Sequence, residues 1–284
     1  MRFLILFIAL LTFWLPAPVR AQDDDGASYL ESLLQSSLSG AGRQVTIRGF
    51  SGALSSTARI EELAISDDQG QWFSARDVVL NWSRLALLTG RVQVQEFSAA
   101  EVVLSRLPQT EAAPPSPEAE PFSLPDLPVS INIDSLRIER LEIGEPVFGI
   151  ANVSRATGSA NLSGGEGALQ VRLERTDGQR GVFNIAGSYA NTNRHLSVDV
   201  ELDEGPGGIV TTLAGLPGAP ALTLSVKGDA PIDDFAADIR LATANQDRLT
   251  GQVTARAVEA APGQPAGAAR NFTFDLNGDI PVSY

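Results

Sequence analysis

One short apolar phrase occurs three times in the first half of the sequence, and it constrains the fold more than any other feature. Each copy has an Ile or Val, two further residues, a Leu or Phe, one further residue and another apolar residue. The copies lie at residues 60–65, 94–99 and 133–138, with spacings of 34 and 39 residues. The phrase is typical of a half-buried strand, and its recurrence is typical of stacked supersecondary units. The pattern favours a surface or a conduit over an enzyme active site.

The second and third copies belong to a longer match. VQVQEFSAAEVVL at residues 92–104 aligns without gaps on INIDSLRIERLEI at residues 131–143, and all six apolar columns coincide. Alternate side chains of a strand point to opposite faces, so two or three such strands in register would form an apolar strip. The residues that we expect to line this strip are Ile60, Leu63, Ile65, Val78, Leu80, Val92, Val94, Val102, Leu104, Ile131, Ile133, Leu141 and Ile143.

Composition places the chain in the mainly β class. Hydrophobic residues make up 43% of the chain and charged residues only 19%, and the 26 glycines suit tight turns between strands. The formal net charge of -13 argues against nucleic acid as a partner. Because the chain has no cysteine, it can form neither a disulfide framework nor a thiolate metal site.

The first 21 residues have the pattern of an export signal. Arg2 precedes an apolar run at residues 3–15, and Ala21 offers a small residue before a cleavage point. As a helix this run would reach about 20 Å, short of a hydrocarbon core about 30 Å thick. We therefore expect a signal peptide at residues 1–21, with a retained signal anchor as the alternative.

Four further segments follow. Residues 22–42 form an acidic lead-in and an amphipathic helix, for which Ser28 and Glu31 supply a capping box. Residues 43–107 form a first β segment, residues 108–128 a proline-rich linker, and residues 129–284 a second β segment that we expect to continue in a longer protein. Since the short connections beyond the linker leave no room for a helical crossover, we expect the strands there to form a meander of antiparallel strands.

No pattern of catalytic residues or metal ligands stands out. His195 is the only histidine and has no partner at a ligand spacing, and Asp233 and Asp234 lack the spacing of a calcium loop. We therefore expect no enzyme activity, no cofactor and no metal.

Two stretches resemble a known family. Residues 30–108 give, in order, a helix, a glycine turn, the strand phrase, a tryptophan strand and the phrase again, and residues 228–255 read GDAPIDDFAADIRLATANQDRLTGQVTA. Both resemble the amino-terminal region of the TamB branch of the AsmA-like family. The resemblance implies a long curled antiparallel β-groove of the β-taco type.

The resemblance also implies a function and partners. Such a protein lies in the periplasm, associated with the inner membrane of a Gram-negative bacterium. Its groove carries phospholipid acyl chains between the inner and outer membranes and supports outer-membrane protein assembly. An Omp85-type (TamA-like) outer-membrane partner would be contacted through a carboxy-terminal region not present here.

The residues leave two interpretations of the apolar strip open. If the sheet closes on itself or meets a second sheet, the strip is an ordinary core, as in a secreted β-sandwich binding or adhesion module. If the sheet curls without closing, the strip is a trough wide enough for acyl chains. The residues alone favour the core, and the family resemblance favours the trough.

Overall fold

A computed structural model describes residues 44–52, 56–83, 86, 91–108, 123–124, 130–257 and 272–279. The predicted signal segment, the amphipathic helix and most of the proline-rich linker lie outside the described residues. The described part contains thirteen strands and two short helices.

Most of the strands are joined by short connections, and the longest connection lies between β4 and β5. They are β1 Gln44–Arg48, β2 Thr57–Asp67, β3 Gly70–Trp82, β4 Arg91–Leu104, β5 Ser130–Ile143, β6 Asn152–Ser163, β7 Glu166–Arg175, β8 Gly181–Ala190, β9 His195–Glu204, β10 Leu222–Pro231, β11 Asp234–Thr243, β12 Gln246–Ala257 and β13 Phe272–Asp279. The helices are α1 Glu145–Phe148, between β5 and β6, and α2 Ile209–Leu213, between β9 and β10.

All thirteen strands form one sheet, in which each strand pairs only with its neighbours in the sequence. The first and last strands of the described residues do not pair with each other, so the sheet curls without closing. This confirms the prediction of a mainly β, groove-like fold. A single sheet is not the two-sheet sandwich that was the alternative.

The pair formed by β4 and β5 is parallel, whereas the other neighbouring pairs are antiparallel. Val92 lies opposite Ile131 and Leu104 opposite Ile143, so the 39-residue offset of the sequence match is the register of this pair. The antiparallel meander predicted for the strands beyond the linker is confirmed from β5 to β13. The antiparallel groove that the resemblance implies therefore contains one parallel pair. Its two strands lie on either side of the proline-rich linker, which supplies the length of chain that a parallel connection needs.

The repeated phrase marks β-bulges. Between the pairs Ile133–Ala160 and Leu136–Gly158, β5 advances three residues while β6 advances two. A second shift separates the Ile138 pair from the Leu141 pair. An extra residue of this kind lets apolar side chains three positions apart stay on one face, and it bends and twists the strand. The phrase therefore has a gap of two residues where plain alternation would have one.

The neighbouring strands take the same three-residue step without a register shift. The pairs Ile60–Val78 and Leu63–Ala75 show that β2 and β3 advance three residues together, and Asp77 in this step has a φ of 49°. Equal steps in β4 and β5 keep the parallel pair in register. Apolar side chains three positions apart, such as Ile60 and Leu63, thus pack against one cluster.

The opposite face of the sheet carries charged side chains paired across strands. Arg76 donates to Glu101 over 2.9 Å, and Arg140 lies 3.3 Å from the same carboxylate. Lys227 contacts Glu201 at 2.7 Å and Asp199 at 3.4 Å. Exposed pairs of this kind add little stability individually, but they keep this face in water and disfavour other registers.

We expect deletion of Ser135 to destabilise the fold strongly, because it removes a bulge residue and turns Leu136 and Ile138 to the wet face. Each misplaced side chain should cost about 1.5 kcal/mol or more, hence about 3 kcal/mol in total. Urea unfolding followed by tryptophan fluorescence measures this. The matched Ser135→Ala variant should stay within about 0.5 kcal/mol of the wild type. Equal stability of the deletion and the substitution would show that the bulge is dispensable.

Candidate functional site

Four rows of uncharged, mostly apolar side chains cross one face of β6–β12, which we call the inner face. The rows follow from the cross-strand register, since directly opposed residues point to the same side. They comprise Ala156, Leu173, Phe183, Leu202, Leu224, Leu241 and Leu249; Gly158, Val171, Ile185, Val200, Val226, Ile239 and Gly251; Ala160, Leu169, Gly187, Val198, Gly228, Ala237 and Val253; and Leu162, Gly167, Tyr189, Leu196, Ala230, Phe235 and Ala255.

The alternate residues of the same strands are polar. On β9 they are Ser197, Asp199, Glu201 and Asp203, which interleave with the apolar residues of that strand. The sheet in this region is therefore apolar on one side and hydrophilic on the other.

The middle of the inner face is uncovered. Leu169 keeps 44% of its surface exposed and Ile185 keeps 37%, although both belong to the apolar rows. A second layer of protein would bury such residues, as interiors pack to high density. The inner face of β6–β12, which we call the trough, is thus uncovered at Leu169 and Ile185, whereas Leu202, Tyr189 and Ala237 of the same rows are buried.

The two short helices form a wall at one end of the strands. Glu204, which is fully buried at 0% exposure, accepts hydrogen bonds from the backbone N–H groups of Ile209 at 2.7 Å and Val210 at 2.9 Å. Its carboxylate thereby satisfies two amides at the start of α2 that have no partner within the helix. Gly149, just after α1, lies close to Thr212, so the two helices meet.

A partly buried ion pair lies at the end of β7. The guanidinium of Arg175 donates through Nε to Asp177 at 3.1 Å and through Nη2 at 2.7 Å. Burial raises the pKa of Asp177, but the hydrogen bonds from Arg175 and from the backbone N–H groups of Val153 and Gln179 outweigh it and hold the pKa below its usual value. Arg175 and Asp177 are thus paired with each other, and the Glu204 carboxylate is satisfied by backbone N–H groups.

A residue of the β4–β5 crossover lies over the other end of the strands. The N–H of Leu124 donates to Asn191 Oδ1 at 2.8 Å, and Asn191 Nδ2 donates to the Leu124 carbonyl at 2.8 Å. The Leu124 side chain packs where Gly167 has no Cβ, beside Leu162. The crossover therefore lies against the inner face at this point.

The cross-strand pairing brings the predicted lining residues to the same face, where three of those with described side chains, Val78, Val94 and Val102, are buried. Ile60, Leu63 and Leu141 pack against a buried cluster that includes Val78 and Val102, and Val94 is also buried. The half-buried remainder is Ile65, Leu80, Leu104, Ile131, Ile133 and Ile143, while the side chain of Val92 lies outside the described residues. Whether any of them touches a ligand stays a prediction.

The two most exposed residues of the trough, Leu169 and Ile185, are not among those that the sequence analysis selected. They lie on β7 and β8, which follow plain alternation rather than the repeated phrase. That alternation was the available signal, since it predicts strands with one apolar face.

Within the described ranges, no group of acidic or histidine side chains is arranged to hold a metal ion. Nor does that part of the chain contain a helix with the length and apolarity needed to cross a membrane.

A long single-layer sheet with one apolar and one hydrophilic face defines a β-groove protein, which can shelter hydrocarbon from water. The family model described as YdbH-like, "Intermembrane phospholipid transport protein YdbH", matches residues 5–283. The chain belongs to this YdbH-like family, which implies intermembrane phospholipid transport. The family is a relative of AsmA/TamB-type lipid transport proteins, so the resemblance predicted from the sequence holds at that level. No curated protein and no solved structure matches the chain.

We expect the trough to tolerate a charge that the packed part of the sheet does not. Ile185→Glu keeps its carboxylate in water and should lose at most about 1 kcal/mol of stability. Val102→Glu, at a position only 7% exposed, buries an unpaired charge and should cost several kcal/mol, about 3 or more. Thermal melts of the two variants measure the difference. Comparable collapse of both would mean that the inner face of β6–β12 is a closed core.

Proposed function

We propose that the inner face of β6–β12 holds the acyl chains of phospholipids while they cross the periplasm between the inner and outer membranes. The observation that carries the proposal is the uncovered pair Leu169 and Ile185, set among uncharged rows in a member of a phospholipid transport family. An apolar face left open in water needs an occupant, and a hydrocarbon chain fits one that has no charged group.

The dimensions suit a hydrocarbon chain. Adjacent strands lie about 4.8 Å apart, so the rows from β6 to β12 run for about 29 Å. A single leaflet is about 15 Å deep, half of a hydrocarbon core about 30 Å thick. One acyl chain therefore fits lengthwise in the rows. Each methylene taken from water contributes about 0.8 kcal/mol, so seven methylenes supply about 5.6 kcal/mol.

The head group would stay in solvent. The four rows contain no side chain that carries a charge, and the ionic groups at the helical end are already paired within the protein. The groove as proposed therefore selects for hydrocarbon and is indifferent to the head group.

Filling the trough tests the proposal. A Cβ on Gly187 would meet only the Ser197 carbonyl oxygen, at an ordinary 3.4 Å, so Gly187→Phe should fold and project its ring among the rows. Displacing two methylenes removes about 1.6 kcal/mol and should reduce bound phospholipid roughly tenfold. The measurement is phospholipid recovered with the purified protein.

The matched control is Ser188→Phe, the next residue along β8, which points to the hydrophilic face. It should retain the wild-type amount of phospholipid. If both variants retained equal amounts of phospholipid and had unchanged melting temperatures, the inner face would not be the site that binds lipid.

The finer expectations from the family resemblance are also proposals. They comprise a periplasmic location with inner-membrane association, a TamB-like contribution to outer-membrane protein assembly, and an outer-membrane Omp85-type (TamA-like) partner. The export signal pattern at residues 1–21 supports the location. Fractionation of cells tests it, and recovery of the protein in the cytoplasm would rule it out.

A further inference from the structure

We infer that Leu124 occupies a place on the inner face that an acyl chain also uses, so that lipid in this place and the contact between Leu124 and Asn191 exclude each other. Leu124 belongs to the connection between β4 and β5. The inference rests on the proposed function and identifies a group of this chain that competes with lipid. The proposed function requires only that the inner face holds acyl chains.

The contact uses both polar groups of one backbone residue. The side-chain amide of Asn191 accepts a hydrogen bond from the Leu124 N–H at 2.8 Å and donates one to the Leu124 carbonyl oxygen at 2.8 Å. One amide side chain thus offers residue 124 an acceptor and a donor side by side, as a neighbouring strand would. The two hydrogen bonds therefore fix where the chain lies at residue 124.

Two glycines make room for this contact. A Cβ on Gly165, which has a φ of 72°, would fall 2.5 Å from Asn191 Nδ2, and the Gly165 carbonyl oxygen accepts from the Asn191 N–H at 2.9 Å. A Cβ on Gly167 would fall 2.9 Å from Leu124 Cδ1. Side chains at these two positions would push the asparagine and the leucine aside. The turn between β6 and β7 and the start of β7 are therefore shaped to receive residue 124.

The leucine side chain lies on the apolar side of the sheet. Gly167 pairs with Leu162 and with Tyr189, so it belongs to the apolar row that contains both. Leu124 covers this row where it crosses β6 and β7. Two sets of atoms cannot fill one volume, so an acyl chain that continues along the row to β6 must displace Leu124.

Leu124 can leave this place while the sheet stays intact. It is half-buried and belongs to no strand, so its departure breaks no strand pair. Both hydrogen bonds to Asn191 join neutral groups, and water can replace them at a small cost in free energy. An acyl chain in the same place would keep the apolar row covered. These are the properties of a competitor and not of a permanent cover.

A competitor within the chain lowers the apparent affinity for lipid. An acyl chain reaches this part of the row only in those molecules in which the contact is open, and the apparent dissociation constant rises in inverse proportion to their fraction. Weakening the contact should therefore strengthen lipid binding. Loss of a structural support would have the opposite effect.

Hydrogen exchange at the Leu124 amide tests the inference on the unmodified full chain. The protein is freed of lipid, and exchange of this amide is measured by mass spectrometry with and without phosphatidylethanolamine supplied from vesicles. Bound lipid should speed the exchange at least about threefold, because the amide loses its acceptor on Asn191. Unchanged exchange in protein that has bound lipid would overturn the inference and leave the proposed function standing. Protein that binds no lipid would overturn both.

Variants provide a second measurement, the affinity for a phosphatidylethanolamine with a fluorescent acyl chain. Asn191→Ala removes both hydrogen bonds, and Leu124→Ala removes the side chain that overlaps the row. Each should bind the probe at least about threefold more tightly than the wild type.

The matched control is Asn193→Ala in the same turn, where the Asn193 side chain accepts from the His195 N–H at 3.1 Å. It should bind the probe as the wild type does. Leu124→Ala keeps Asn191 and both backbone hydrogen-bonding groups, so it is the decisive variant. Equal or weaker binding by Leu124→Ala would show that the leucine does not compete with lipid and would overturn the inference.

Discussion

The structure depends on one constraint, which is that every strand keeps its apolar side chains on the same face of a single sheet. A slip of one residue in any pair would exchange the apolar and hydrophilic faces of a strand. Two kinds of interaction oppose such a slip. Apolar contacts hold the bulged half, and charged pairs such as Lys227 with Glu201 hold the outer face of the regular half. Since β1 and β13 do not pair, no barrel closure enforces the register within the described strands.

Two spacings of apolar residues satisfy this constraint, and they give different shapes. Plain alternation, as in β7 to β9, leaves a regular sheet with an open face. The phrase with a gap of two residues coincides with bulges in β5, and Ile138 and Leu141 of that strand pack against a buried cluster that includes Ala75 and Ala99. The spacing of apolar residues is thus connected to the local geometry of each strand.

Much of the fold follows from the sequence, because alternation and turn residues are local signals. Strands are observed in both predicted β segments, such as Gly181–Ala190 in the second, and the match between residues 92–104 and 131–143 is the register of β4 on β5. The parallel sense of that pair did not follow, because it depends on the path of a crossover with no secondary-structure signal. The extent of the open face did not follow either, because burial depends on how far the sheet curls.

The repeated phrase and the two most exposed positions of the trough lie in different parts of the sheet. Of the residues that the phrase marks, Val94 and Ala99 are buried, whereas Ile60, Leu63 and Ile133 are half-buried. Leu169 and Ile185 belong to no repeated phrase, and they lie where the pairing has no register shift. The phrase therefore predicts strands and their register, but it does not predict which positions stay exposed.

A groove that moves lipid needs moderate rather than complete burial. A path must bind its cargo well enough to admit it and weakly enough to release it. Leu169, at 44% exposure, can gain contacts from an acyl chain without enclosing it. The uncharged rows from β6 to β12 offer similar contacts at each strand. An acyl chain that shifts by one strand spacing would therefore lose one set of apolar contacts and gain a similar set. Half-burial spread evenly over many strands is therefore the property that would let hydrocarbon slide, and a tightly closed pocket would hold it in place.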